Sequence, residues 1–216
     1  MAGLLARRTA TTLVVQLGPV LAAVWPAITG SLAVQGYLLV MALSIVAVNL
    51  VRDPVSNLSR EGEDQGSEAL LGLCMWLGSI WAGLDVGRWH LTDTVPEAVQ
   101  LAALATLFTA SGMRLWAMAA NRYFANLLWI QRDRDHRVID TGPYRWVRHP
   151  GYTTFLLILP SMALTLGSWS ALGPMLLGVV VVVRRTARED AFLHQQLPGY
   201  PAYAQAVRFR LVPGLY

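Results

Sequence analysis

The chain has one cysteine, Cys74, and no lysine. A lone cysteine excludes an internal disulfide, and it excludes a zinc site built on paired cysteines. No metal site is expected. Charge is scarce too: 14% of the residues are charged, against about 25% in an ordinary soluble domain. Residues 9–51 contain no Asp, Glu, Lys or Arg. A bilayer crossing takes about 20 apolar residues, so this stretch is long enough for two. What fills the chain instead is hydrophobic, 55% of its residues. That composition excludes both an ordinary soluble globule and a disordered chain. A length of 216 residues fits one integrated domain, at roughly 100–200 residues per domain.

The basic residues are all arginines, and the net charge is +4. They sit beside apolar runs, which fits membrane topology and anionic lipid better than nucleic acid. No nucleic-acid partner is expected. Gly30-Ser31 divides the first apolar region into spans near 9–29 and 32–51, with Pro19 and Pro26 in the first. A polar loop covers 52–68. A third run covers 69–84, and a second polar connection covers 85–97, with Asp85 marking a helix end or lying inside the span. A fourth run begins at Ala98 and continues past Arg114 to about Ala120. Residues 121–149 are polar and arginine-rich. Residues 150–183 carry no charge, and Gly167-Ser168 divides them into a short helical hairpin.

The expected fold is therefore all-α: a polytopic membrane protein of about six segments. Six crossings put every arginine except Arg88 on one side, and the positive-inside rule makes that side cytoplasmic. Both termini are then cytoplasmic. The lysine-free, Ala-, Val-, Leu- and Arg-rich composition points to a GC-rich bacterium and its inner membrane.

Two polar clusters, over 121–152 and 184–203, are the places for chemistry. Thr141-Gly142-Pro143-Tyr144 is a turn signal. Arg148-His149-Pro150 then presents a cation and an imidazole at the mouth of an apolar helix, with Pro150 suited to its first turn. Across the hairpin, Arg184, Arg185, Arg188, Glu189 and Asp190 return to the same face. Two clusters of opposite character thus meet at the boundary of water and lipid. The tryptophans, Trp116, Trp129, Trp146 and Trp169 among them, read as an interfacial belt or as packing.

Residues 114–216 resemble the isoprenylcysteine carboxyl methyltransferase family, which is related to the phospholipid N-methyltransferases. The matching elements are His136-Arg137-Val138-Ile139, Gly142-Pro143-Tyr144 and Arg148-His149-Pro150-Gly151-Tyr152. After the hairpin follow Arg185, Glu189-Asp190, Tyr200-Pro201-Ala202-Tyr203 and Arg210-Leu211-Val212-Pro213. The resemblance implies N-terminal transmembrane helices over 1–113 and a methyltransferase core over 114–216, with a cytoplasmic site for S-adenosyl-L-methionine. His136, Arg137, Val138 and Ile139 would line the cofactor. Tyr144, His149, Pro150, Gly151 and Tyr152 would hold its adenosyl and methionine parts. Glu189 and Asp190 would meet its polar groups, although the family commonly has Glu-Glu where this chain has Glu189-Asp190. Arg148 and Arg185 would serve catalysis, with Arg185 facing the substrate.

The residue types agree with that cofactor. It carries a sulfonium, an ammonium and a carboxylate, so its site needs an acid, a base and an aromatic face. Glu189, Arg148 and Tyr144 or Tyr152 supply those types. No Gly-x-Gly-x-x-Gly element follows a strand, so the soluble methyltransferase architecture is not expected. The acceptor would be a lipophilic small molecule, a lipid or a lipidated substrate. A carboxylate acceptor fits the lack of an isolated base. Three other readings stay open: a phospholipid N-methyltransferase, an NADPH-dependent sterol-type reductase, and a non-catalytic lipid-binding membrane protein.

Overall fold

A computed structural model describes Leu21, Trp25 and residues 30–51, 65–125 and 130–216. The span expected near 9–29 lies outside the described residues except for Leu21 and Trp25, and so does the polar loop over 52–64. Among the described residues the fold is all-helical. Six α-helices follow in order: α1 (Leu32–Val51), α2 (Gln65–Leu84), α3 (Glu97–Ala120), α4 (Pro150–Thr165), α5 (Leu172–Gln196) and α6 (Tyr200–Ala206). Among the described residues, three helical stretches are long and apolar enough to cross a membrane: Leu32–Val51, Gly66–Trp89 and Glu97–Ala120.

Helix α1 starts where the sequence breaks. Ser31 caps it, its Oγ accepting from the Val34 N–H, which satisfies one of the amides orphaned at a helix start. Beyond the cap, α1 is apolar all round. Ala33, Val34, Tyr37 and Val40 are buried, while Leu39, Leu43 and Leu50 stay exposed. A helix apolar on every face, with leucines left outside, is one solvated by lipid on its outer side.

Helix α4 is the centre of the bundle. It packs against α3 on one side and α5 on the other, and it also touches α1 and α2. Thr154, Phe155, Ile158, Leu159, Met162 and Ala163 on α4 are all buried. Small residues let the backbones come close: Ala110 and Ala117 on α3 and Ala163 on α4 are wholly covered. Such packing is what holds helices together in lipid, where hydrophobicity gives no net drive between them.

At 16 residues, α4 is about 24 Å long. Its partner α5 has 25 residues and does not stop with the apolar run at Val183. It continues as a polar helix through Arg184, Arg185, Arg188, Glu189 and Asp190 to Gln196. The change from apolar to polar alters what surrounds the helix, not its hydrogen bonding. The second limb is therefore longer than the charge pattern suggests.

At the C-terminal end of α4, Asp85 opens a π-helical turn, Asp85–Trp89, that extends α2. Asp85 is fully buried. Its Oδ1 accepts from the amides of Leu91 and Thr92, and its Oδ2 accepts from the hydroxyls of Thr92, Ser168 and Ser170. The carboxylate thus ties the α2 end to the turn between α4 and α5. Exposed Trp81 and Trp89 meet edge to face at this end, 5.4 Å apart, and exposed Trp116 and Trp146 pair at 5.6 Å on separate elements. Paired exposed indoles of this kind suit the two water–lipid boundaries.

Candidate active site

At the N-terminal end of α4 the chain makes a series of tight turns. Gly142 opens a 3₁₀ turn, Gly142–Arg145, at φ 58°. A β-carbon there would lie 3.2 Å from the Ala120 side chain, so strain and space both require glycine. His149 then caps α4, and Pro150 takes its first position, where a missing N–H has no helical partner to lose. Gly151 follows, and a β-carbon on it would come within 2.7 Å of the Phe124 ring. The Arg-His-Pro-Gly-Tyr run is thus a sharp entry into α4, pressed against a neighbouring aromatic.

The turns enclose a cleft of about 1110 Å³, counting its open mouth. His136, Arg137, Val138, Ile139, Tyr144, Arg148, His149, Gly151, Tyr152, Arg185 and Glu189 all line it. Of the residues expected to hold the cofactor or serve catalysis, only Pro150 and Asp190 do not.

The 131–139 segment forms one wall, held by a buried glutamine. The Gln131 side-chain amide donates to the Tyr123 carbonyl, and its carbonyl oxygen accepts from Arg134 Nη1. Tyr123 stacks on His136 with ring centroids 4.3 Å apart, and its hydroxyl donates to the Asp135 carbonyl. The Gln131 N–H donates to His136 Nδ1. Burial pulls the His136 pKa down to about 4, and the Arg134 charge adds to the effect. The imidazole is therefore neutral and able to accept that hydrogen bond at neutral pH.

A second wall joins α4 to α5. Arg185 Nε donates to the Tyr152 hydroxyl at 2.7 Å, and that hydroxyl donates to Glu189 Oε2 at 2.7 Å. Arg185 and Glu189 lie one turn apart on α5, an i to i+4 pair, with the α4 phenol bridging them. The Glu189 side chain keeps 26% of its surface exposed, whereas Asp190 keeps 2%. Glu189 can meet a ligand from there, and Asp190 cannot.

Asp190 lies behind the wall. Its Oδ1 accepts from Arg148 Nε at 2.8 Å and from the Tyr200 hydroxyl at 2.8 Å, and its Oδ2 accepts from Arg148 Nη2 and Arg210 Nε at 3.0 Å each. His149 Nε2 lies 3.1 Å from Oδ1. Burial alone would raise this carboxyl. Hydrogen bonds from His149 and Arg148, with the charges around it, outweigh burial and hold it well below the ordinary carboxylate range. Arg148 Nη1 also donates to the carbonyls of Val207 and Arg208. Burial raises the phenols of Tyr144, Tyr200 and Tyr203 well above the usual tyrosine value, so all three are neutral; Tyr200 and Tyr203 donate, and Tyr144 accepts.

Asn121 and Tyr123 line the cleft but carried no functional signal in the sequence, and neither did Gln131 behind its wall. Asn121 Nδ2 donates to the Tyr144 hydroxyl, and the Tyr203 hydroxyl donates to the Tyr144 carbonyl, across 23 and 59 residues of chain. Arg114 had a readable signal, a charge inside an apolar run. It sits about 9 Å before the end of α3, and its guanidinium lies over the Phe155 ring at 4.3 Å. Arg114 lines the cleft together with Glu68, Leu71 and Phe155. Among the described residues no group of side chains is arranged to hold a metal.

No curated protein matches the chain. Residues 102–195 match the model of the Isoprenylcysteine carboxyl methyltransferase (ICMT) family. That segment runs from α3 to the end of α5, whereas α6 and the C-terminal segment lie beyond it. The chain is an integral membrane protein, and residues 102–195, which supply most of the cleft lining, are similar to a family of methyltransferases, the isoprenylcysteine carboxyl methyltransferases.

Proposed function

We propose that the protein is an S-adenosyl-L-methionine-dependent methyltransferase acting on a lipophilic acceptor at the cytoplasmic face of a bacterial inner membrane. The chain of hydrogen bonds Arg185–Tyr152–Glu189 carries this reading. It sets an accessible carboxylate, a fixed phenol and a buried cation side by side in one cleft.

The donor set fits the cofactor. Glu189 offers an anion to its ammonium or sulfonium, and Tyr144, Tyr152 and the Tyr123–His136 stack offer aromatic faces. His136 to Ile139 and His149 to Tyr152 would hold it. When bound, it supplies an electrophilic methyl group on sulfur. The chain's own part is alignment and exclusion of water. Tyr152 is fixed by two hydrogen bonds, so the Glu189 and Arg185 sides of the cleft keep a set separation.

The acceptor end is built from Leu71, Phe155, Arg114 and Arg185. Apolar walls beside two guanidiniums suit an amphiphile with an anionic group, such as a carboxylate next to a lipid chain. A carboxylate is already nucleophilic and requires no base. One observation favours a second reading. Glu68 also lines this end, and its charge acts on Arg185. An acid there suits an amine acceptor, as on a phospholipid headgroup. The membrane arrangement proposed is six segments with cytoplasmic termini, α4 and the apolar part of α5 forming the last two.

Transfer of an isotope-labelled methyl group into membrane lipid and protein fractions tests the reading. Label in a base-stable lipid amine supports the second reading, and label released by mild base as methanol supports a carboxyl ester. A thermal shift with NADPH but none with S-adenosylhomocysteine would overturn both in favour of a reductase.

A further inference from the structure

The C-terminal segment packs behind the Arg148–Tyr152 turn without reaching the cleft. Among the described residues that line the cleft, none comes from 207–216. The contacts are nonetheless dense. The Arg148 and His149 amides donate to the carbonyls of Phe209 and Arg210, both at 2.9 Å. The Thr153 hydroxyl donates to the Leu211 carbonyl at 2.7 Å. Arg148 Nη1 donates to the carbonyls of Val207 and Arg208 at 2.8 Å each. Arg210 Nε completes the set on Asp190.

A carboxylate has about four lone-pair sites. Arg148, Tyr200 and Arg210 already fill those of Asp190, and His149 lies beside it. Nothing is left for a ligand. Arg148 makes four hydrogen bonds of its own, two to Asp190 and two to the C-terminal carbonyls, so its guanidinium has little left for a reacting group. His149 and Tyr152, which line the cleft, ride on the backbone that this pair fixes.

From this geometry we infer that Asp190, Arg148 and Arg210 are positioning residues. They form a charge clamp through which the C-terminal segment holds the His149–Tyr152 wall in its ligand-binding shape. Arg210 thereby acts on the cleft without touching it. The inference rests on the methyltransferase reading for the identity of the ligand, but the clamp itself exists in the free protein. Both states therefore test it.

The test uses the full-length protein in detergent. Hydrogen exchange of the free protein should show faster exchange at the Arg148 and His149 amides in Arg210→Ala and Asp190→Asn, with the core of α4 unchanged. Calorimetry with S-adenosylhomocysteine should show about tenfold weaker binding in Arg210→Ala. Arg210→Lys should recover part of it, because Lys keeps the charge and loses the planar fork. If Asp190→Asn fails to fold, the exposed Arg210 still decides. Wild-type binding matched by unchanged binding and exchange in Arg210→Ala would overturn the clamp alone. Absence of binding in the wild type would overturn the cofactor reading, and exchange at the Arg148 and His149 amides of the free protein would then decide the clamp by itself.

Discussion

Two buried aspartates stand at opposite ends of α4, and their partners differ. Asp85 accepts only from neutral donors, two amides and three hydroxyls. Asp190 accepts from two guanidiniums and a phenol beside an imidazole. Both carboxylates are saturated, and neither lines the cleft. Around Asp85 the chain closes on itself as a tight three-way turn. Around Asp190 the same device holds one wall of an open cleft. A saturated buried acid therefore does not mark a site. What marks it is the accessible acid next door, Glu189, whose surroundings leave one side open.

Removing the closed end has the largest expected effect. Asp85→Ala strands the Leu91 and Thr92 amides, at about 1–3 kcal/mol each for buried groups left unpaired. Thermal unfolding in detergent should show the loss. Ligand affinity of the molecules that remain folded should not change. A drop in affinity at normal stability would erase the distinction between the two ends.

The open end should respond in rate instead. Arg185→Ala is expected to keep S-adenosylhomocysteine binding near normal while lowering methyl transfer by about 100-fold, the scale of a misplaced reactant. Arg185→Lys should restore only part, because a planar fork engages both oxygens of a carboxylate. Full activity in the Lys variant would reduce Arg185 to an anchor of α5 at the membrane face.

A smaller effect follows from His136. Its pKa falls from the usual 6.5 to about 4 in the folded chain. Below 6.5 the unfolded chain takes up a proton that the folded one resists. The stability of the 131–139 wall is thus complete above pH 6.5 and is lost as pH falls toward 4. Protonation also removes the acceptor for the Gln131 amide. Exchange at that amide should accelerate over this window, and His136→Gln should flatten the response. An unchanged pH profile in His136→Gln would place the titration elsewhere. The smallest intervention leaves the fold untouched: reporter fusions after residues 90 and 216 should report opposite sides of the membrane.

Legibility in the sequence followed the range of the interactions. The start of α1 was readable because a glycine and a capping serine act within four residues. The end of α3 was readable because the apolar run itself ends there. The full length of α5 was less readable, because the charge at Arg184 and Arg185 ends the apolar run and marks an exit from lipid, and nothing local shows that the helix runs on to Gln196. Asp85 gave an ambiguous signal, since two of its donors, Ser168 and Ser170, lie more than 80 residues away. The cleft was legible as two clusters of residue types. The assignment of jobs within it was not. Glu189 and Asp190 are neighbours of like charge, and only their partners from α4, α6 and the C-terminal segment distinguish the cleft-facing acid from the buried one. Gln131 is one glutamine in an arginine-rich loop and had no signal at all.

Isothermal calorimetry of S-adenosylhomocysteine on the wild type and on Glu189→Ala tests the central claim most directly. Wild-type binding is expected on the micromolar scale, about −8 kcal/mol. The variant should lose about 1.5–3 kcal/mol, the worth of a charge-assisted hydrogen bond. Wild-type binding that Glu189→Ala leaves undiminished would contradict the placement of the ligand beside the Arg185–Tyr152–Glu189 chain.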